Sequence, residues 1–417
     1  MNKLLVIGYV WPEPNSSAAG RRMMQLLEFF LSEGYEITFA TTASETGYTA
    51  DLEGLGIRKE KIELNNESFD RFVTKLQPGV VLYDRYMMEE QFGWRVSESC
   101  PDALSILDTE DLHFFRKARQ EAFKKGMDLT PSLLQSDLAK REIAAIFRCD
   151  LSLIISKVEM NLLQEKFQVP EELLMYLPFM EEMPSQDERS TLPLFNERQD
   201  FVSIGNFLHA PNQDAVLHLK QNIWPLIRKE LPQARIHIYG AYVNQKDLQL
   251  HNEKEGFLIE GRALNAHEAI KKARVLLAPL RFGAGQKGKF IDAMKTGTPT
   301  ATTNVGAEGM KAELPWNGVV ADDEEAFALA AVQLYNDQKT WEGAVKNGFE
   351  LLEKLYSKKG FSAVLRNRIL DLLHGLKKHR EYNFTGAMLK QHQLNSTKYL
   401  SKYIEIKNEL ERSTSKK

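Results

Sequence analysis

The chain has 417 residues, which is too long for one ordinary hydrophobic core and predicts two domains. Its 54 Lys and Arg nearly balance 57 Asp and Glu, and the formal net charge of −3 argues against a nucleic-acid partner. Two cysteines exclude a disulfide scaffold, and together with a start that does not resemble a secretory signal they predict a cytoplasmic protein.

Strand-like and helix-like segments alternate along the first part of the chain. The predicted strands are 4–9, 35–42, 78–84, 103–110 and 151–156. Between the first two, residues 18–34 carry apolar side chains at helical spacing. Continuous apolar strands separated by helices are typical of a parallel sheet that is covered on both faces. We therefore predict an N-terminal α/β domain over residues 1–180.

The same alternation restarts after a polar, proline-containing segment, 181–199, which we interpret as a linker. The predicted strands of the second half are 201–205, 234–240, 256–261, 275–280, 298–303 and 318–323. This pattern predicts a second α/β domain over residues 200–355. The fold class is therefore α/β, with two Rossmann-like βαβ domains in tandem.

The remaining segment, 356–417, is predicted to be helical and to end in a basic tail. Residues 377–417 carry ten Lys and Arg against four Glu, a net charge of +6, mixed with aromatic side chains. Two interpretations stay open. The tail is either a solvated helical extension, or it docks an otherwise cytoplasmic protein on the anionic inner face of a membrane.

Residues 279–299 read PLRFGAGQKGKFIDAMKTGTP and place glycines and lysines between a predicted strand and a predicted helix. Gly283 and Gly285 allow a close approach of the backbone to a ligand, with N–H groups that point at an anion. Lys287 falls in the first turn of the helix, where the helix dipole disfavours a cation unless an anion is bound. The stretch thus predicts a diphosphate site, and a tight turn with solvent-facing lysines is the alternative.

Residues 278–310, APLRFGAGQKGKFIDAMKTGTPTATTNVGAEGM, resemble the donor-site signature of GT-B glycosyltransferases of the family-4 group. Residues 201–227 and residues 9–42 resemble the openings of the same family's two domains. The resemblance covers about residues 1–375. It implies two Rossmann-like domains that face a cleft, with the final helices crossing back to the N-terminal domain.

The resemblance also implies that the C-terminal domain binds a nucleoside-diphosphate sugar. Lys287 matches the family's phosphate-contacting lysine, and Asp292 stands where a glutamate usually holds the ribose hydroxyls. Many members have a second glutamate that touches the sugar, but this chain has Ala284 there. Glu308 is expected nearby in a polar role. The other residues assigned to the donor and its phosphates are Gly20, Arg21, Gly205, Asn206 and Arg281.

The densest polar group of the N-terminal half is LSILDTEDLHFFRKAR, residues 104–119. A predicted strand delivers Asp108, Asp111 and His113 just past its carboxyl end, the edge at which α/β sheets bind ligands. We predict that these three are catalytic. His113 would orient or polarise the sugar. Asp108 or Asp111 would fix the tautomer of the His113 imidazole. The alternative is a charged helix start with an aspartate as N-cap.

The reaction implied by the resemblance is transfer of the sugar, with retention, to a glycan, a lipid-linked acceptor or another acceptor. No carboxylate cluster suited to a metal is evident, so we expect neither a metal nor another cofactor. Two alternatives remain open. The missing glutamate at Ala284 is compatible with a non-catalytic nucleotide-sugar-binding protein, and sugar-nucleotide epimerases share the fold.

Overall fold

A computed structural model describes residues 2–391 together with Tyr399, Tyr403 and Ile404. The described chain forms two α/β domains, each built on one parallel sheet, which confirms the predicted fold class. Apolar side chains pack on both faces of each sheet, as continuous apolar strands require.

The N-terminal sheet has the order β3-β2-β1-β4-β5-β6-β7, and all its strands are parallel. The strands are β1 (Lys3–Gly8), β2 (Glu36–Thr41), β3 (Arg58–Lys61), β4 (Val80–Asp84), β5 (Leu104–Asp108), β6 (Leu151–Ile154) and β7 (Leu174–Tyr176). The helices are α1 (Ala18–Ser32), α2 (Ser68–Leu76), α3 (Tyr86–Ser99), α4 (His113–Lys124), α5 (Asp137–Arg148) and α6 (Lys157–Phe167).

A connecting segment with one short helix, α7 (Gln186–Ser190), leads to the C-terminal sheet, whose order is β10-β9-β8-β11-β12-β13. Its strands are β8 (Gln199–Ile204), β9 (Ile236–Tyr239), β10 (Phe257–Gly261), β11 (Ala273–Ala278), β12 (Thr300–Thr302) and β13 (Gly318–Val320). The helices are α8 (Ala210–His218), α9 (Trp224–Glu230), α10 (Gln245–Leu248), α11 (Ala266–Lys272), α12 (Gly288–Lys295), α13 (Asn304–Ala307), α14 (Glu324–Asn336) and α15 (Gln338–Leu355). A π-helical turn, Leu219–Ile223, joins α8 to α9.

The last long helix, α16 (Lys358–Tyr382), lies against the N-terminal domain and is followed by α17 (Phe384–Lys390). Leu365, Ile369 and Leu372 are buried in the same apolar cluster as the β1 and α1 side chains. Arg380 also pairs with Asp150 beside β6, at 2.7 Å. The chain therefore passes between the domains twice.

Most of the predicted basic tail after residue 391 lies outside the described residues, so its docking on a membrane stays a prediction. Within the described ranges, no helix combines the length and the apolar character that crossing a bilayer requires.

Strand order sets the place of the site. In each sheet the direction of winding changes at one point, between β1 and β4 in the first and between β8 and β11 in the second. Ligands of such sheets bind beyond the carboxyl ends of the strands at this point. Here the two edges face each other, because loops from both lie on one cleft.

Candidate active site

The cleft between the domains has a volume of 1130 Å³. The loops after β1, β4 and β5 form one wall, and the loops after β8, β9, β10 and β11 form the other. Most of the predicted site residues line it: Gly20, Arg21, Asp111, His113, Gly205, Asn206, Gly283, Lys287 and Asp292. Segments far apart in sequence are thus brought together at one place.

Two lysines lie at the N-terminus of α12, on the cleft wall. The Lys287 ammonium donates to the backbone oxygens of Gly285 (3.0 Å) and Glu308 (3.2 Å), and that of Lys289 donates to Asn212 Oδ1 (2.9 Å). Burial lowers the pKa of both lysines to about 8. Removing an ammonium group from water is unfavourable, so a bound anion would stabilise the charged form of each.

An ion pair joins the two walls directly. Arg21, at the start of α1, places both terminal nitrogens on the Asp292 carboxylate of α12. His267 Nε2 lies 2.9 Å from the same carboxylate. Burial raises the pKa of Asp292, but the charge of Arg21 and the bonds from His267 and Arg21 outweigh it and lower the pKa to about 2. Asp292 is therefore an ionised acceptor on the cleft wall.

The acceptor side carries a second polar group around the start of α4. Asp111 pairs with Arg116, and His113 Nε2 lies 3.5 Å from Asp111 Oδ1. Burial raises the pKa of Asp111, yet the charge and the hydrogen bond of Arg116 act against it, and the pKa is lowered overall. Burial lowers the pKa of His113 and of His209, which lines the opposite wall, to about 4. Both imidazoles are thus neutral near pH 7.

The structure corrects the assignment of Asp108 as a catalytic residue. Its side chain is fully buried, and both oxygens accept from Arg22 Nε at 2.8 and 3.1 Å. Arg22 also donates to the backbone oxygen of Leu177 at 2.8 Å. Asp108 does not line the cleft, because the carboxyl end of β5 turns it into this internal ion pair.

Three other residues assigned to the donor lie outside the cleft lining in the ligand-free protein, and their assignments stay predictions. Arg281 does not line the cleft, since its guanidinium binds both oxygens of Asp214, at 2.9 and 2.6 Å. Glu308 accepts two bonds from Arg119 of α4, at 2.6 and 2.8 Å, and so connects the domains. The Gly285 amide donates to Glu159 Oε1 at 3.0 Å, so in the ligand-free protein it already has an acceptor.

His267 and Arg262 line the cleft but were not predicted from the sequence, whereas Glu110 and Arg116 were expected at this edge without an assigned role. Glu110 adopts a left-handed backbone, with φ of 64°. Burial and the charge of Asp108 raise its pKa to about 8. The run of charges after β5 was the only signal for Glu110. His267 had none, because 25 residues separate it from the carboxylate it contacts.

No cluster of three or more His, Cys, Asp or Glu side chains suited to a metal occurs in the part of the chain that the structure describes. Cationic side chains dominate the donor end of the cleft instead, with Arg21, Lys287 and Lys289 around α12.

Comparison with known proteins finds a family match within the C-terminal domain. Residues 198–337 match the model of a family described as glycosyl transferases group 1. This stretch, about a third of the chain, is similar to a group 1 glycosyltransferase domain. This domain holds β8 to β13 and every cleft residue of the donor wall. The finer assignment to the family-4 group stays a prediction.

One relative matches part of the chain. A stretch of 173 residues is 25% identical to a Klebsiella pneumoniae protein described as an uncharacterized 44.6 kDa protein in the cps region. The match covers 39% of this chain and 44% of that protein, so it spans less than half of the relative's length.

Solved structures match over both domains. Sucrose-phosphate synthase (tll1590) from Thermosynechococcus elongatus gives a TM-score of 0.70 at 15% identity, over 90% of this chain and 100% of that one. Alr3699/HepE from Anabaena, in complex with UDP and glucose, gives a TM-score of 0.66 at 10% identity. This match covers 88% of this chain and 99% of that one. At these identities the likeness shows the fold alone, which is the two-domain GT-B arrangement.

Proposed function

We propose that the protein transfers a sugar from a nucleoside-diphosphate sugar to a carbohydrate acceptor, with retention at the anomeric carbon and without a metal ion. The observation that carries this proposal is the cationic group at the N-terminus of α12. Lys287 and Lys289 of the donor wall and Arg21 of the facing wall converge there in an interdomain cleft within a glycosyltransferase fold.

The diphosphate is the part of the donor that fits this group best. Two buried ammonium groups with lowered pKa values gain most from an anion, and the helix N-terminus adds its partial positive charge. Among the described residues, no group accepts a hydrogen bond from the amides of Gly288 or Lys289. These amides are therefore available to phosphate oxygens, and they would stabilise the charge that develops on the leaving diphosphate.

The nucleoside is proposed to lie toward Asp292. Its ionised carboxylate accepts hydrogen bonds, as the two hydroxyls of a ribose require. In the free protein Arg21 and His267 occupy this acceptor. When a donor binds, Arg21 would turn from Asp292 to the phosphates, which lie on the same face of α12.

Retention is supported by the weakness of the bases on the acceptor wall. A histidine whose pKa is about 4, such as His113, removes a proton poorly at neutral pH. Asp111 is held in an ion pair with Arg116. Glu110, whose pKa is raised to about 8, is largely protonated near pH 7, so the departing phosphate oxygen is the proposed base for the acceptor hydroxyl. His113 would orient the sugar by hydrogen bonding, and positioning would supply much of the rate.

The comparisons support this proposal at a coarser level. The HepE structure contains UDP and glucose, and the Klebsiella pneumoniae relative is described by its cps region. We therefore propose a role in polysaccharide biosynthesis, with a glycan or a lipid-linked sugar as acceptor. Ala284 lines the cleft and offers no polar side chain to the sugar. Selection of the donor sugar would therefore depend on the other cleft residues near Ala284.

The proposal is tested by incubating the protein with a panel of nucleoside-diphosphate sugars, with and without carbohydrate acceptors. Slow donor hydrolysis alone and faster consumption with one acceptor are expected, and nuclear magnetic resonance of the product should show the anomeric configuration of the donor. Binding without turnover for the whole panel would favour a non-catalytic binding protein. A new epimer of the donor would favour an epimerase.

A further inference from the structure

Glu159, near the start of α6, makes one of the contacts that join the two domains. Its side chain is 1% exposed and does not line the cleft. One oxygen, Oε1, accepts from the Leu112 amide at 2.9 Å and from the Gly285 amide at 3.0 Å. Leu112 stands between Asp111 and His113 on the acceptor wall, whereas Gly285 belongs to the donor loop. A single carboxyl oxygen thus connects both halves of the proposed active site.

The donor loop is fitted closely to this contact. Gly285 has a φ of 63°, and a Cβ there would lie 2.8 Å from the Cβ of Asp111. Only glycine allows both the left-handed backbone and this approach. The Gly285 carbonyl accepts in turn from the Lys287 ammonium at 3.0 Å. Glu159 therefore holds the amide of the same residue, Gly285, whose carbonyl accepts from the proposed phosphate-binding lysine.

The environment of Glu159 suits a neutral carboxyl group. Burial and the nearby negative charge of Asp111 raise its pKa to about 8. Its second oxygen, Oε2, is buried and has no hydrogen-bond partner among the described residues. Near pH 7 the group acts through the two bonds that Oε1 accepts. A glutamine side chain reproduces these bonds, because its amide oxygen accepts in the same way.

We propose that Glu159 is a positioning residue that holds the donor loop, residues 283–287, and the segment Asp111–His113 in one arrangement. Diphosphate binding at Lys287 and the orientation of His113 are then coupled through this side chain, beside the contacts that Arg119 of α4 makes with Gly283 and Glu308. This inference rests on the proposed function, since it takes the diphosphate as the ligand of the loop.

The chain offers a matched control in Glu142. It is also 1% exposed, has a pKa raised to about 8 by burial, and accepts from two backbone amides, those of His113 (3.1 Å) and Phe114 (2.9 Å). Both amides belong to the N-terminal domain, so Glu142 supports His113 without touching the donor loop. If a general loss of stability weakened diphosphate binding, it would do so in both the Glu159→Ala and the Glu142→Ala variants. If the interdomain contact matters, only the Glu159→Ala variant binds more weakly.

The test measures the affinity of Glu159→Ala, Glu159→Gln and Glu142→Ala for uridine, guanosine and adenosine diphosphates by calorimetry. With the diphosphate that binds wild type most tightly, Glu159→Ala should raise the Kd about tenfold, because Lys287 loses its fixed position. The Kd of Glu159→Gln should stay within about twofold of the wild-type Kd, and so should the Kd of Glu142→Ala. The Glu142→Ala variant should still have a lower kcat, because Glu142 supports His113.

Equal Kd values for Glu159→Ala and Glu142→Ala would overturn the inference while leaving the proposed function intact. Failure of wild type to bind any of the three diphosphates would overturn the proposed function, and the inference with it. If Glu159→Ala does not fold, hydrogen exchange of the wild-type protein decides. Saturating diphosphate should slow exchange in peptides that cover residues 111–114, and unchanged exchange there would overturn the inference.

Discussion

Arg21 of the N-terminal domain and Asp292 of the C-terminal domain form an ion pair across the cleft, with His267 against the same carboxylate. The pair holds the two walls together in the ligand-free protein at the position assigned to the ribose. Arg21 is also the cation that reaches the donor end of α12 from the opposite domain. When a donor binds, the contact between Arg21 and Asp292 must therefore be replaced by contacts of these side chains with the donor.

Asp292→Ala should weaken the binding of a nucleoside diphosphate but not that of inorganic pyrophosphate. The carboxylate contacts the ribose in our account, and the loss of hydrogen bonds to a charged group costs about 1.5–3 kcal/mol. Pyrophosphate has no ribose, and the mutation frees Arg21 to bind it. Calorimetry with both ligands measures the difference, and Asp214→Ala, which removes the partner of Arg281 outside the cleft, is the control. Equal losses for both ligands would contradict the ribose assignment.

Asp108→Ala should destabilise the protein, whereas Asp111→Ala should mainly reduce turnover. Removing Asp108 leaves Arg22 buried without its ionic partner, and breaking a buried pair in this way costs about 3–5 kcal/mol. Urea denaturation gives the free energy of unfolding, and kcat is measured per folded molecule. If Asp108→Ala is as stable as wild type yet inactive, the catalytic assignment that we reject here would be right.

Diphosphate binding should weaken as the pH rises through about 8. Lys287 and Lys289 have pKa values of about 8 in the free protein, below the usual 10.5 because both are buried. The charged form of each lysine binds phosphate. Above pH 8 each lysine must therefore take up a proton when the diphosphate binds. The affinity then falls by up to about tenfold per pH unit for each lysine. Isotherms from pH 7 to 9.5 test this. Lys287→Arg should reduce the slope, and a flat profile would contradict the phosphate assignment.

Activity should persist in EDTA. The proposed mechanism neutralises the leaving diphosphate with Arg21, Lys287, Lys289 and the amides of α12, which can take the place of a divalent cation. Turnover is measured before and after chelation, and then with added manganese or magnesium. Loss of turnover in EDTA that either metal restores would contradict this part of the mechanism.

Much of the fold followed from the sequence because its strands are continuous apolar runs. Such runs are distinctive in parallel sheets that are covered on both faces. The strand β3 was not predicted, since its sequence, RKEK, is charged and lies at a sheet edge where neighbouring side chains remain in water. Charged edge strands are common, because they prevent pairing between molecules, but they carry no apolar signal.

The site was predicted less completely, and the failures share a cause. Residue type and position after a strand placed Asp111, His113 and Lys287 on the cleft, but the same reasoning placed Asp108 there. Only its tertiary partner, Arg22, distinguishes a buried carboxylate from an exposed one. Glu159 had no sequence signal, because both of its contacts are backbone amides from distant segments.

The central claim is that the cleft binds a nucleoside diphosphate through Lys287, and titration calorimetry of two lysine variants tests it most directly. Lys287→Ala is compared with Lys229→Ala, which removes an exposed lysine of the same domain. We predict that Lys287→Ala loses about 1.5–3 kcal/mol of binding free energy, whereas Lys229→Ala binds like wild type. Equal affinity of both variants and the wild-type protein would contradict the account.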